Sequence, residues 1–154
     1  METVASLSPD QLALRPAPDL WPIWATAAHL AGTRVYWLCV VAGEPGAERT
    51  PFTDSANEGW EDDLDHPRGP GELVFALESS WAIVAGCLER WTPEMLDTEF
   101  FRERDGQTQV HTRQSMLMRL ITHDASHAGE ISQTLGMHGG NELDLWTGRA
   151  PTRR

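Results

Sequence analysis

Two histidines, His123 and His127, stand four residues apart in the run His123-Asp124-Ala125-Ser126-His127-Ala128-Gly129-Glu130-Ile131. On an α-helix that spacing places both on one face, where two imidazoles can converge on one point. Such a pair is half of a transition-metal site, because a catalytic zinc centre commonly takes three protein ligands and keeps a position open. His29, in Ala28-His29-Leu30-Ala31-Gly32, is the natural third. A lone histidine in an apolar helix is more often a core residue, so its candidacy as a ligand depends on the later pair. His66, His111 and His138 fall in loops or at element ends and read as structural or surface residues.

A peptidase is the sharpest rival for the pair. Zincins use H-E-x-x-H, with the glutamate activating water. Here the second position is Asp124, one methylene shorter, and no further glutamate or histidine follows at zincin spacing. At about 100° per residue, Leu117, Leu120, Ile121, Ala128, Ile131 and Leu135 form one apolar stripe, with both histidines along its edge and Asp124 near its middle. A carboxylate there is costly unless paired. Arg34 on a neighbouring helix could pair with it, or it could accept the free N–H of a ligand histidine, the usual way a metal site orients its imidazoles. Trp37, Glu130 and Gln133 could line a pocket, although packing or helix surface is the plainer reading of each. Nucleophile elbows, P-loops and dinucleotide fingerprints are absent.

The elements that must carry these residues are mostly helical. Ser8-Pro9-Asp10-Gln11 has the form of a capping box with proline at the first helical position. From Asp19 to about Val41 the chain is apolar nearly all round, as expected of a central helix, and Gly43, Pro45 and Gly46 end it. Residues 43–70 form a long polar connection with an acidic cluster of Glu58, Glu61, Asp62, Asp63 and Asp65, read as a solvated surface because its spacing does not follow an EF-hand. A second long helix is expected from about Gly71 to Arg90. Thr92-Pro93-Glu94 is another cap. Asp105-Gly106 signals a two-residue hairpin, and Thr112 caps a last helix running to Gly136.

Composition narrows the function. The 154 residues suit a single domain, and a formal charge of −11 argues against nucleic acid, whose phosphates this surface would repel. The basic residues between Arg149 and Arg154 are too few to change that. No uninterrupted apolar run reaches a membrane span, and the N-terminus lacks the basic and apolar regions of a signal peptide, so a cytoplasmic address is expected. Cys39 and Cys87 lie in separate apolar stretches and read as buried thiols.

His29 in an aromatic-rich helix together with His123-x-x-x-His127-Ala-Gly-Glu-Ile resembles the DinB-like superfamily, which includes the bacillithiol transferases and the metal domain of mycothiol-dependent maleylpyruvate isomerase. Thr50-Pro51-Phe52-Thr53-Asp54, Gly59-Trp60-Glu61-Asp62-Asp63, His111-Thr112-Arg113-Gln114-Ser115 and Leu143-Asp144-Leu145-Trp146 further resemble an uncharacterised branch of it. The resemblance implies an all-α, up-down four-helix bundle, usually dimeric. It also implies a divalent zinc- or nickel-like ion on His29, His123 and His127. The family's first helix would have to fit into the seven residues before Ser8, so either the sequence starts late or only a stub of that helix is kept. The enzyme reading is a metal-dependent transferase or isomerase that brings a low-molecular-weight thiol to a small electrophile. Its competitors are a non-catalytic metal-binding stress protein and a metal-dependent hydrolase.

Overall fold

Three long helices carry the molecule: α3 (Ile23–Val35), α4 (Pro70–Arg90) and α5 (Arg113–Met137). They are seen in a computed structural model that describes residues 2–52, 62–141 and 143. Before them come α1 (Glu2–Ser6) and α2 (Pro9–Leu12); 3-10 turns lie at Ala47–Arg49 and Pro93–Asp97. Strands β1 (Glu99–Arg104) and β2 (Gln107–Thr112) form one antiparallel hairpin ahead of α5. The chain is thus mostly helical with a small two-stranded insertion, as expected.

Local chemistry sets most of the boundaries. Ser8 caps α2 in a reciprocal box with Gln11, the Ser8 Oγ accepting from the Gln11 amide and the Gln11 side chain accepting from the Ser8 amide. Thr112 and Ser115 do the same for α5. The hairpin turns at Asp105 and Gly106, with φ of 53° and 73°, and pairs Arg104 with Gln107. Two successive positive φ values give the turn whose twist matches the strands, which is why an Asp-Gly pair stands there. The first long helix starts later than expected, at Ile23 instead of Asp19. Pro22 is its N-cap, and the residue before a proline is pushed out of helical geometry, so Trp21 cannot belong to the helix. Beyond Val35 the same helix widens into a π turn over Tyr36–Val41.

Helix α3 is buried along nearly its whole length, from Ile23 and Trp24 through Ala31 to Val35. It packs most extensively on α4 and next on α5, and α1 rests on α4. Val4 of α1 and Leu7 just beyond it join the core with Leu12, Leu38, Phe52, Leu73 and Met116. On α5 the buried positions are Met116, Leu120, Ile131, Thr134 and Leu135. Ile121, expected in the apolar stripe, is 62% exposed. The stripe is narrower than expected because α5 has one long helical partner, α3, to cover it. Helix α4 is long and apolar enough to cross a membrane by length and composition, contrary to the expectation from uninterrupted runs. Its Leu73, Ala76, Leu77, Ile83, Val84 and Cys87 are buried in the helical core. Cys39 and Cys87 are free thiols, and burial raises the pKa of both, Cys87 to about 11.

Candidate metal centre

The three sequence-selected histidines meet. Ligand-capable atoms of His29, His123 and His127 all lie within 4.8 Å of one another, and His29 Nε2 is 3.0 Å from His123 Nε2. The ring centroids are 4.4 to 5.2 Å apart. Helix α5 supplies two of them from one face, and α3 brings the third across 94 residues of chain.

Two carboxylates turn the outer imidazoles inward. His29 Nδ1–H donates to Asp62 Oδ1 at 3.1 Å, and His127 Nδ1–H donates to Glu130 Oε2 at 2.6 Å. With Nδ1 carrying the proton, the Nε2 lone pair of each ring faces the cluster, as a metal ligand requires. His123 lies deepest. Burial, then the nearby charges of His127, His29 and Arg119, push its pKa down to about 4, so its ring is neutral at pH 7. Three imidazoles within reach of one point are a donor set that suits a divalent transition ion.

Asp124 has the first of its two considered partners. Its Oδ2 accepts from Arg34 Nε at 3.1 Å and Nη2 at 2.6 Å, while Arg34 Nη1 also reaches the Leu77 carbonyl and Ser80 Oγ. Among the described residues no histidine nitrogen bonds Asp124, and its Oδ1 has no partner. Asp62 and Glu130 are the carboxylates that accept from His29 and His127, and Asp124 clasps α5 to α3 and, through Arg34, to α4. Of the acidic cluster, Asp62 and Asp65 are exposed as expected, although Asp62 also bonds His29, whereas Asp63 is largely covered and bonds His66 and Arg68. Glu58 and Glu61 lie outside the described residues.

A family model described as the DinB superfamily matches residues 1–131. The chain belongs to the DinB superfamily. Among solved structures it is similar to a DinB-like protein from Bacillus cereus ATCC 10987, with a TM-score of 0.67 and 19% identity, over 94% of this chain and 87% of that one. At that identity the likeness is one of fold. No curated protein matches the chain.

Beside the histidines this DinB-superfamily chain has a cavity of about 590 Å³, bordered by His29 and His127 and walled by Trp21, Ile23, Ile131 and Thr134. Its size is that of a small-molecule site. Glu130 and Gln133 border it, as considered from sequence, but Trp37 does not. Trp37 is buried beneath Arg119 and Arg102 and packs against His111. Trp21, which the sequence reading passed over, meets the His29 ring edge-on at 5.1 Å. His66 bonds Asp63 and His138 bonds the Arg15 carbonyl, so both are structural.

Proposed function

We propose that His29, His123 and His127 are the protein ligands of one divalent ion, zinc or nickel, in an enzyme that transfers a low-molecular-weight thiol to small electrophiles. The observation that carries this reading is the convergence of three imidazoles, two of them oriented by carboxylates, at the edge of a small-molecule cavity. When bound there, the cation supplies Lewis acidity that lowers the pKa of a thiol or water and yields a nucleophile near neutral pH.

The chain's own residues do the rest. Asp62 and Glu130 hold two rings in the ligating tautomer. Trp21, Leu20, Ile23 and Ile131 give the cavity an apolar wall that would pack a hydrophobic electrophile and exclude water, while Thr26, Thr134 and Gln133 offer hydrogen bonds for orienting it. In bundle terms α1, α3, α4 and α5 correspond to the four helices, with α1 the shortened first. We further infer a cytoplasmic homodimer without a nucleic-acid or membrane partner. Its acidic charge opposes nucleic acid, and the exposed Trp81 and Leu88 on α4 support self-association.

The test is an assay of zinc- and nickel-loaded protein with a thiol and an electrophile, then with chromogenic esters. Electrophile consumption that needs both thiol and metal supports the transferase. Ester cleavage without thiol points to the hydrolase, and silence in both points to metal binding without turnover.

A further inference from the structure

One helical turn before His123 the surface changes sign. Arg119 places its guanidinium 4.5 Å from the Trp37 ring centroid, and Arg102, from β1, lies 5.2 Å from the same ring and 5.1 Å from Tyr36. Both cations are anomalous in this molecule. The other described arginines each donate to an oxygen or pair with a carboxylate, for example Arg34 with Asp124, Arg68 with Asp63, and Arg90 and Arg113 with Glu44. Among the described residues, Arg102 and Arg119 have neither a carboxylate nor a carbonyl partner, in a chain where 23 acidic residues outnumber 12 basic ones.

Contact with an aromatic face attracts a cation weakly and does not neutralise its charge. Three separate elements, the π turn, β1 and α5, thus hold two like charges around one indole. His111 stands with them, edge-on to Trp37 at 4.7 Å, and its buried Nε2 has no partner among the described residues. Burial first, then the charges of Arg119 and Arg102, lower the His111 pKa, so the positive potential belongs to the guanidiniums.

The cluster is aligned with the histidines. Arg119, His123 and His127 recur every four residues on α5, while His29 lies on α3, which packs against it, and Trp37 lies on the π turn that continues α3. We propose that Arg102 and Arg119 form an anion subsite for the carboxylate of a short organic acid whose reacting end lies at the three histidines. The subsite's place in catalysis rests on the metal reading above, whereas its capacity to bind an anion does not. A guanidinium fork matches a carboxylate in two parallel hydrogen bonds. The chain's net charge of −11 disfavours more highly charged anions at long range. Four residues of helix span about 6 Å, so the acid would place roughly three to five atoms between its two ends.

The test titrates metal-free and zinc-loaded protein with sodium butyrate and follows the arginine Nε–H and tryptophan indole resonances. Saturable shifts at Arg119 and Arg102 in the metal-free protein, weakened at least tenfold in Arg119→Gln and abolished in the Arg102→Gln/Arg119→Gln pair, support the subsite. Arg104→Gln, on the same hairpin, should leave them intact. Absent saturation, or shifts unchanged in Arg119→Gln, overturn it and leave both arginines as indole packing. In zinc-loaded protein, 4-mercaptobutyrate should bind at least tenfold tighter than 3-mercapto-1-propanol, and the difference should vanish in the double variant. Equal binding of the two thiols overturns the link to the histidines. Butyrate binding by a protein that takes up no zinc would instead remove the metal reading and keep the anion site.

Discussion

Asp62 and Glu130 are the side chains that decide whether three clustered imidazoles act as ligands or merely pack. Each accepts the Nδ1–H of its histidine and so turns that ring's Nε2 toward the other imidazoles. Asp62→Asn and Glu130→Gln should each weaken zinc binding by about 10–100-fold in a chelator competition, with folding little changed. Asp124 should behave in the opposite way. Asp124→Ala strands Arg34 between α3 and α4 and should cost roughly 2–3 kcal/mol in a denaturant melt, while the metal content stays the same. The sequence made the triad legible because i, i+4 spacing is a local signal and His29 was the one histidine inside another long helix. Glu130 also carried a local signal, three residues after His127, that went unused. Asp62 carried none, since it reaches His29 from the far end of a long connection where no periodicity constrains it. Asp124 was legible as a carboxylate in need of a partner, but which of two partners it takes is a tertiary matter.

At the scale of elements, one carboxylate joins three of them. Glu44, just beyond the π turn, accepts from Arg90 at 2.7 Å and from the Trp91 indole at 2.9 Å at the end of α4, and lies 3.5 Å from Arg113 at the start of α5. Burial alone would raise its pKa, but the hydrogen bonds from Arg90 and Trp91, with the charges of Arg90 and Arg113, more than offset that and hold it below the ordinary 4.5. A carboxyl with a depressed folded-state pKa contributes stability that is complete above the unfolded value and is lost as pH falls through the folded one. Glu44→Gln should therefore be less stable than the parent above pH 4.5, and the gap should close on acidification below it. Thermal melts between pH 3 and 7 read this directly. Caps, the hairpin turn and helix-ending glycines were legible because each is a short-range contest between a side chain and its own backbone. Packing decides the width of the apolar stripe on α5, which at ideal pitch includes Ile121 although α3 does not cover it, whereas the start of α3 at Ile23 is a local effect of Pro22 that apolar patterning alone does not show.

The whole molecule is an acidic helical protein whose cavity, histidine triad and unpaired arginines are all assembled around α3 and α5. Its outer face is less polar than its charge suggests, with Trp81 and Leu88, seven residues apart on one side of α4, at least 46% exposed. If that face joins two copies, light scattering should give twice the chain mass, and Trp81→Glu with Leu88→Glu should return it to one. An unchanged dimer would place the interface elsewhere, and a monomeric parent would remove the dimer. The overall class, mostly helical with one hairpin, was legible because helical and strand periods differ so clearly. The order in which helices pack was not, since it depends on which faces find each other. The most direct measurement is the metal content of purified protein after dialysis, by elemental analysis, for the parent and for the combined His29→Ala, His123→Ala and His127→Ala variant. One zinc or nickel per chain in the parent, and none in a variant that still melts cooperatively, is the expected result. A parent that holds no stoichiometric metal after loading, or a variant that keeps it, would contradict the assignment of these three histidines.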